Sequence, residues 1–443
     1  MNKSTLALAV AMGVLAQQAS AAGFIEDSKA SISSRTLYFD GDNRDGGADQ
    51  RQTVTGLKFD FLSGYTQGTV GFGLDVQGLV GINLGGGIDN HSRTTANTVS
   101  PVDTDGSPVD NWSRLGANGK VKFSKTELKA GNALAPNLPV LVTNDGRLLP
   151  ASYQGGIATS KEIDNVTLTA GQLTREIGRA SSNWAGIGMS GGTHGSDGFR
   201  FAGADWKVTK DLTLQYYYAQ LEDYYRQNFL GLTHVLQIAP DQSLKTDLRY
   251  FNNKSDGKNG DTGYVFNNLG GYAHDAGEVD NNTWSAAFTY SLGGHSLTLG
   301  HQRVSDSGAM ASISNGNIAD GRNRAEGEGG SSYYLFTDIM VNSFTRAGEN
   351  STFGIYAYDF AKLGVPGLKT TFTYVSGRDA RLAGTGARYD EWEADYRVDY
   401  TLQSGPLKGL GFSARHANFR SEGTGVADTD QNRFYVNYTY ALW

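Results

Sequence analysis

Apolar and polar side chains alternate along this chain with a period of two. Over 69–84 one face reads Val70, Phe72, Leu74, Val76, Gly78, Val80 and Ile82, while the other sets Asp75 and Gln77 among glycines. Over 391–403, Trp392, Ala394, Tyr396, Val398, Tyr400 and Leu402 alternate with Glu391, Glu393, Asp395, Arg397 and Asp399. Trp284, Ala286, Phe288 and Tyr290 alternate in the same way with Thr283, Ser285, Ala287 and Thr289. This is the pattern of strands with one apolar and one polar face. A soluble sandwich shares it, but two further features favour a membrane barrel. Aromatic residues cluster toward strand ends (Tyr374, Trp392, Tyr400, Tyr438, Tyr440), where a membrane interface takes them. Connections also alternate strictly between short and long.

Eight short turns fall near Ser63-Gly64, Lys125-Thr126, 162–164, Lys210-Asp211, 240–242, Gly293-Gly294, 365–367 and 405–409. Nine longer connections lie at roughly 41–53, 84–115, 131–156, 175–198, 220–226, 253–282, 304–350, 376–391 and 420–432. With both chain ends on the short-turn side, these connections define eighteen strands. The fold class is therefore all-β, an 18-stranded antiparallel transmembrane β-barrel, closed so that no edge faces lipid. A single domain over 22–443 is expected, with no linker.

One stretch departs from the alternation. Residues 131–156, GNALAPNLPVLVTNDGRLLPASYQGG, carry three of the eight prolines, Pro136, Pro139 and Pro150. Proline removes ladder donors, so this is no central strand. Yet Leu134, Leu138, Val140, Leu141, Val142, Leu148 and Leu149 are too apolar for a loop that runs only over a surface. A loop folded inward to narrow the lumen satisfies both facts, with Asn144, Asp145 and Arg147 at its tip. A buried loop on a soluble β-protein is the alternative.

The first residues add a compartment. Lys3, an apolar run over 6–15 and Ala19-Ser20-Ala21 form a signal peptide, residues 1–21, expected to be removed. The run is too short to span a bilayer. With no cysteine, an exported chain has no disulfide framework. High glycine (59) and aromatic content (Tyr 23, Phe 20) suit many strands with glycine-rich connections. A net charge of −7 argues against a nucleic-acid partner.

Enzyme signals dissolve on inspection. Residues 186–191 match GxGxxG and 188–192 match GxSxG, but neither stands in the βαβ or α/β context it requires. Barrel phospholipases are the competing class. They need a Ser and His paired at one level, which the seven histidines do not show. No metal-ligand spacing is present either, so no cofactor is expected.

Several stretches resemble the OprD family of substrate-specific porins of Gram-negative outer membranes. They are GFIEDS (23–28), SGYTQGTVGFGLDVQGLVG (63–81), SKTELKAG (124–131), QLEDYYRQNFLGL (220–232), NTWSAAFTYSL (282–292), GVPGL (364–368) and QSGPLKGL (403–410). Each is short, but the set follows the family order along the whole mature chain. The resemblance implies a monomeric barrel set in outer-membrane lipid and lipopolysaccharide. It implies an eyelet formed by loops three and seven, here 131–156 and 304–350, and a basic ladder along the wall.

Strand phase places Lys58, Lys120, Lys122, Lys245, Arg249, Lys369 and Arg397 on the polar face, and the resemblance adds Arg35 and Arg415 to the ladder. Such a row favours small anionic substrates. Alternatively each base pairs with an inward acid such as Asp60, Asp247 or Asp399 and only structures the wall. Arg147 stands where the family places its eyelet arginine, and a guanidinium holds a carboxylate in bidentate fashion. Asp145 is expected to balance it, although a surface-loop ion pair explains Arg147 as well. Arg179 joins the constriction by resemblance. Lys129, entering the third loop, is either a constriction residue or structural. One branch of the family is adapted to basic amino acids or small peptides, another to aromatic or cyclic monocarboxylates such as benzoate derivatives. Arg147 and Arg179 sit where the second branch places its cations, and Tyr153, Tyr333 and Tyr334 are candidates to stack on a ring. Basic substrates would need exposed acids at the waist, for which Asp145 alone speaks.

Overall fold

A computed structural model describes residues 23–89, 97–103, 105–189, 192, 194–266, 272–314 and 330–443. The expected signal peptide lies outside the described residues, as does Ser190 of the glycine-rich stretch. Strands run over Lys29–Asn43, Gln50–Leu62, Val70–Ile88, Asn111–Phe123, Thr126–Leu134, Ser152–Ser160, Val166–Ile177, Phe199–Lys207 and Leu212–Leu221. They continue over Tyr225–Ala239, Gln242–Ser255, Asp280–Leu292, His295–Val304, Asn350–Asp359, Leu368–Arg381, Arg388–Thr401, Gly411–Ser421 and Thr429–Ala441. Each pairs antiparallel with the next, and the last returns to the first from Ser31↔Ala441 to Asn43↔Thr429. A two-residue piece, Ala185–Gly186, pairs with Glu176 and Arg175 without crossing the wall. The result is a closed 18-stranded antiparallel barrel whose short turns and long loops fall where the alternation puts them.

Burial is inverted relative to a soluble protein. Trp284 and Phe288 are 41% and 48% exposed, while Thr283 and Ser285 between them are 0% and 2% exposed. Glu391, Glu393 and Asp395 are likewise buried, with Trp392, Tyr396 and Val398 exposed. The apolar face thus points to lipid and the polar face to the lumen, and the closed ladder leaves no strand edge unpaired. The C-terminal aromatic residue sits out of phase because the strand stops at Ala441; Trp443 Nε1 instead donates to Ser28 Oγ at 2.9 Å.

The lumen is filled by loops. Inside the third one, Asn137–Leu138 pairs with Leu141–Val142 as a miniature hairpin. Leu148 and Leu149 pack with Leu37, Phe39, Val54, Leu79 and Trp112 of the wall. Burying two such side chains stabilises the loop by about 1.5–3 kcal/mol each. Gly56 makes the approach possible: a Cβ there would lie 3.1 Å from Leu148 Cγ. Val140 and Leu141 pack against Met189 of the fourth loop and Met310 and Ile313 of the seventh. Bridges Val142↔Ser332 and Met189↔Ile313 tie the three loops together. Arg114 fastens the third and fourth loops to the wall, donating to the Pro150 carbonyl at 2.9 Å and the Gly178 carbonyl at 3.2 Å.

The seventh loop is docked at its far end by acids of the wall. The Glu393 carboxylate accepts from the backbone N–H of Met340 (3.2 Å), Val341 (2.8 Å) and Asn342 (2.8 Å). Arg346 pairs with Glu391 at 3.2 Å. The inward face of one strand is thereby committed to holding a loop.

Candidate eyelet and basic wall

At the tip of the third loop, Arg147 is buried with its guanidinium 4.8 Å over the Phe39 ring. Its Nε donates to Thr98 Oγ1 at 3.3 Å and its Nη1 to the Gly146 carbonyl at 3.0 Å. That carbonyl is a hub: Tyr435 Oη donates to it at 3.1 Å and Arg433 Nη1 at 3.5 Å. Arg433 also donates to Gln431 Oε1 at 2.7 Å and to the Met340 carbonyl of the seventh loop. The last strand therefore pins both the third and the seventh loop.

Arg433 and Tyr435 escaped the sequence reading. The signal was present, since both lie in the inward phase opposite Phe434 and Val436. In the ladder Arg433 stands opposite Arg415, and Arg415 opposite Arg397, giving a row of three guanidiniums on adjacent strands. Arg415 is half-buried, 4.6 Å over the Tyr435 ring, with Nε 3.1 Å from Ser413 Oγ. Burial, then the charges of Arg433 and Arg179, push the pKa of Arg147 well down from its ordinary value. A guanidinium does not give up its proton in a protein. Among the described residues, Arg147, Arg433 and Arg415 form no ion pair with any carboxylate.

Asp145 does not balance Arg147, contrary to expectation. It pairs with Arg35, Nη1 to Oδ1 at 2.7 Å and Nη2 to Oδ2 at 3.3 Å. Arg35 also donates to the Arg147 carbonyl at 2.8 Å and to Asn437 Oδ1 at 3.2 Å.

Elsewhere on the ladder, pairing with inward acids is what the geometry shows. Lys58 meets Asp60 at 2.9 Å, and Arg397 meets Asp399 at 2.6 Å. Lys245 and Arg249 share Asp247 at 3.2 and 2.8 Å. Arg249 lies 4.0 Å from the Tyr334 ring centre and 4.2 Å from that of Phe336, and donates to the Tyr334 carbonyl at 3.0 Å. It is a strut between wall and seventh loop. Lys120 and Lys129 converge on Asp75 at 2.7 and 3.1 Å, Lys120 deeply buried and Lys129 half-exposed. Lys122 lies 5.6 Å from the Tyr65 ring centre. Lys369 is exposed, opposite Asp399 in the ladder. Arg179 Nη1 donates to Asn144 Oδ1 at 2.9 Å, joining the fourth loop to the third-loop tip. Burial pushes the Asp338 carboxyl in the seventh loop up, and the N–H of Tyr333, the Ser343 hydroxyl and the charge of Arg179 oppose that shift.

Of the three tyrosines expected to stack on a substrate, Tyr153 is 0% exposed and belongs to the apolar cluster between loops. It has no free face, which corrects that expectation. Tyr333 donates to the Met310 carbonyl at 3.1 Å, and Tyr334 sets its edge against Phe229 at 5.8 Å.

Comparison with known proteins agrees with this geometry. The model of the family described as outer membrane porin, OprD family, matches residues 22–442. Porin D of Pseudomonas aeruginosa is 32% identical across 100% of this chain and 99% of its own length. Porin-like protein GalP of Pseudomonas putida is 33% identical across 99% and 97%. Among solved structures, Pseudomonas aeruginosa OccK8 (OprE) aligns with TM-score 0.84 at 42% identity, covering 95% of this chain and all of that one. Pseudomonas aeruginosa OpdK, solved with vanillate, aligns with TM-score 0.81 at 33% identity over the same shares. The chain belongs to the OprD family of outer-membrane porins: it is a channel of the bacterial outer membrane and not an enzyme.

Proposed function

We propose that this porin admits small carboxylates, with aromatic or cyclic monocarboxylates of the benzoate type as the favoured class. The observation that supports it is the arginine group Arg147, Arg433 and Arg415, which makes no direct ion pair among the described residues, although Asp395 lies within electrostatic reach of Arg433 and Asp399 of Arg415, while Lys58, Lys245 and Arg397 each contact an acid directly. In an enclosed site a carboxylate sheds part of its water, and each cation contact then exceeds the roughly 1 kcal/mol available in bulk. A relative points the same way, since vanillate, present with OpdK, is an aromatic monocarboxylate. Of the acids that a basic amino acid could use, Glu391, Glu393 and Asp395 are buried, the two glutamates against the seventh loop, and the exposed waist acid Asp145 is already paired with Arg35. In this reading the barrel is a monomer in lipid and lipopolysaccharide, Arg147 and Arg179 guard the eyelet, and transport is facilitated diffusion along the wall cations.

In liposomes, Arg147→Ala is expected to slow benzoate uptake about tenfold, the order of one charge-assisted hydrogen bond, and to leave arginine uptake little changed. Loss of arginine uptake with benzoate uptake intact would assign the channel to basic amino acids instead.

A further inference from the structure

Below the tip of the third loop, on the side of the short turns, the wall and the underside of that loop line a half-open cavity of about 270 Å³. Arg35, Asp145 and Lys58 supply its charges, Leu148 and Leu149 an apolar wall, and Ser33 a hydroxyl. A cation beside an apolar surface is what a small organic carboxylate needs, and a carboxylate is already there. Asp145 grips Arg35 with both oxygens, at 2.7 and 3.3 Å, in the forked geometry of a bound acid.

The two partners are not equally secured. Arg35 is held without Asp145, by Asn437 and by the Arg147 carbonyl. The Asp145 carboxylate has no other polar partner among the described residues, and its side chain is 51% exposed. Release of Asp145 therefore leaves Arg35 aimed and vacant. Arg35 lies four residues nearer the short-turn end of its strand than Phe39, the ring under Arg147, or about 13 Å along the strand. Lys58 stands lower again, opposite Ser33.

We infer that this cavity is an exit subsite for the substrate's carboxylate and that Asp145 is its built-in competitor. A carboxylate descending from Arg147 displaces Asp145 from Arg35. Asp145 then returns to the same guanidinium and drives the visitor on toward Lys58. A ladder cation with a tethered rival binds weakly, which a conducting site requires. The inference rests on the carboxylate reading above.

The test is benzoate-induced interruption of current in planar bilayers. Asp145→Asn is expected to lengthen the mean interruption about tenfold, because Arg35 loses its rival. Adding Arg35→Gln is expected to return it to the parental value or below. An unchanged interruption in Asp145→Asn, or a lengthening that survives Arg35→Gln, overturns the inference. So does a severalfold rise in open conductance of Asp145→Asn, since the carboxylate would then be anchoring the loop. The two claims fail separately. Benzoate uptake that depends on Arg147, with interruptions insensitive to Asp145, leaves the eyelet reading standing and removes the subsite. Uptake indifferent to Arg147, with interruptions lengthened in Asp145→Asn, does the reverse.

Discussion

Two like charges at 4 Å repel by about 1 kcal/mol in water and by several in a partly dry enclosure. Arg147, Arg433 and Arg415 are each oriented by neutral acceptors, Thr98 and Gly146, Gln431, and Ser413, while the charges of Asp395 and Asp399 offset part of the repulsion at Arg433 and Arg415. Hydrogen bonds to neutral groups fix direction without cancelling charge. Arg433→Gln is expected to shift the reversal potential in a salt gradient toward cations. An unshifted potential would mean that its charge is not felt by the ion path. The sequence carried the phase of Arg433 but not its weight. A polar-face arginine on a last strand looks like many others until the loop tip, some 287 residues away, is seen against it.

At the scale of elements, the inward loop was legible and its neighbour's docking was not. Three prolines among leucines exclude both strand and surface loop, so residues 131–156 had one place to go. Removing 137–149 is expected to raise single-channel conductance severalfold; an unchanged value would put the segment outside the conducting path. The seventh loop gave no comparable sign. Glu391 and Glu393 read as the ordinary polar half of an alternating strand, and their partners at 340–346 lie some fifty residues off. Glu393→Gln weakens the seat of three backbone N–H groups by about 1–3 kcal/mol. Current noise from loop motion is expected to increase, with mean conductance little changed.

For the whole molecule, strand number and inside-out polarity were readable because lipid enforces them at every outward position. A side chain facing the bilayer has one solvent, so its identity is set locally. A side chain facing the lumen answers to its strand neighbours and to three loops, which is why the pairing of each ladder cation waited for the register. Leu299, 57% exposed near the middle of its strand, tests the outward rule. Leu299→Lys is expected to destabilise the lipid-folded barrel by about 2–4 kcal/mol in vesicle refolding. The seam joining first and last strands has a different consequence. Ser28 and Trp443, 415 positions apart, touch. A wall whose strands all pair with their neighbours has no privileged starting strand. A circular permutant with the old ends joined and new ones opened at the tip of 44–49 should assemble to the same barrel, whereas cutting within a wall strand should not.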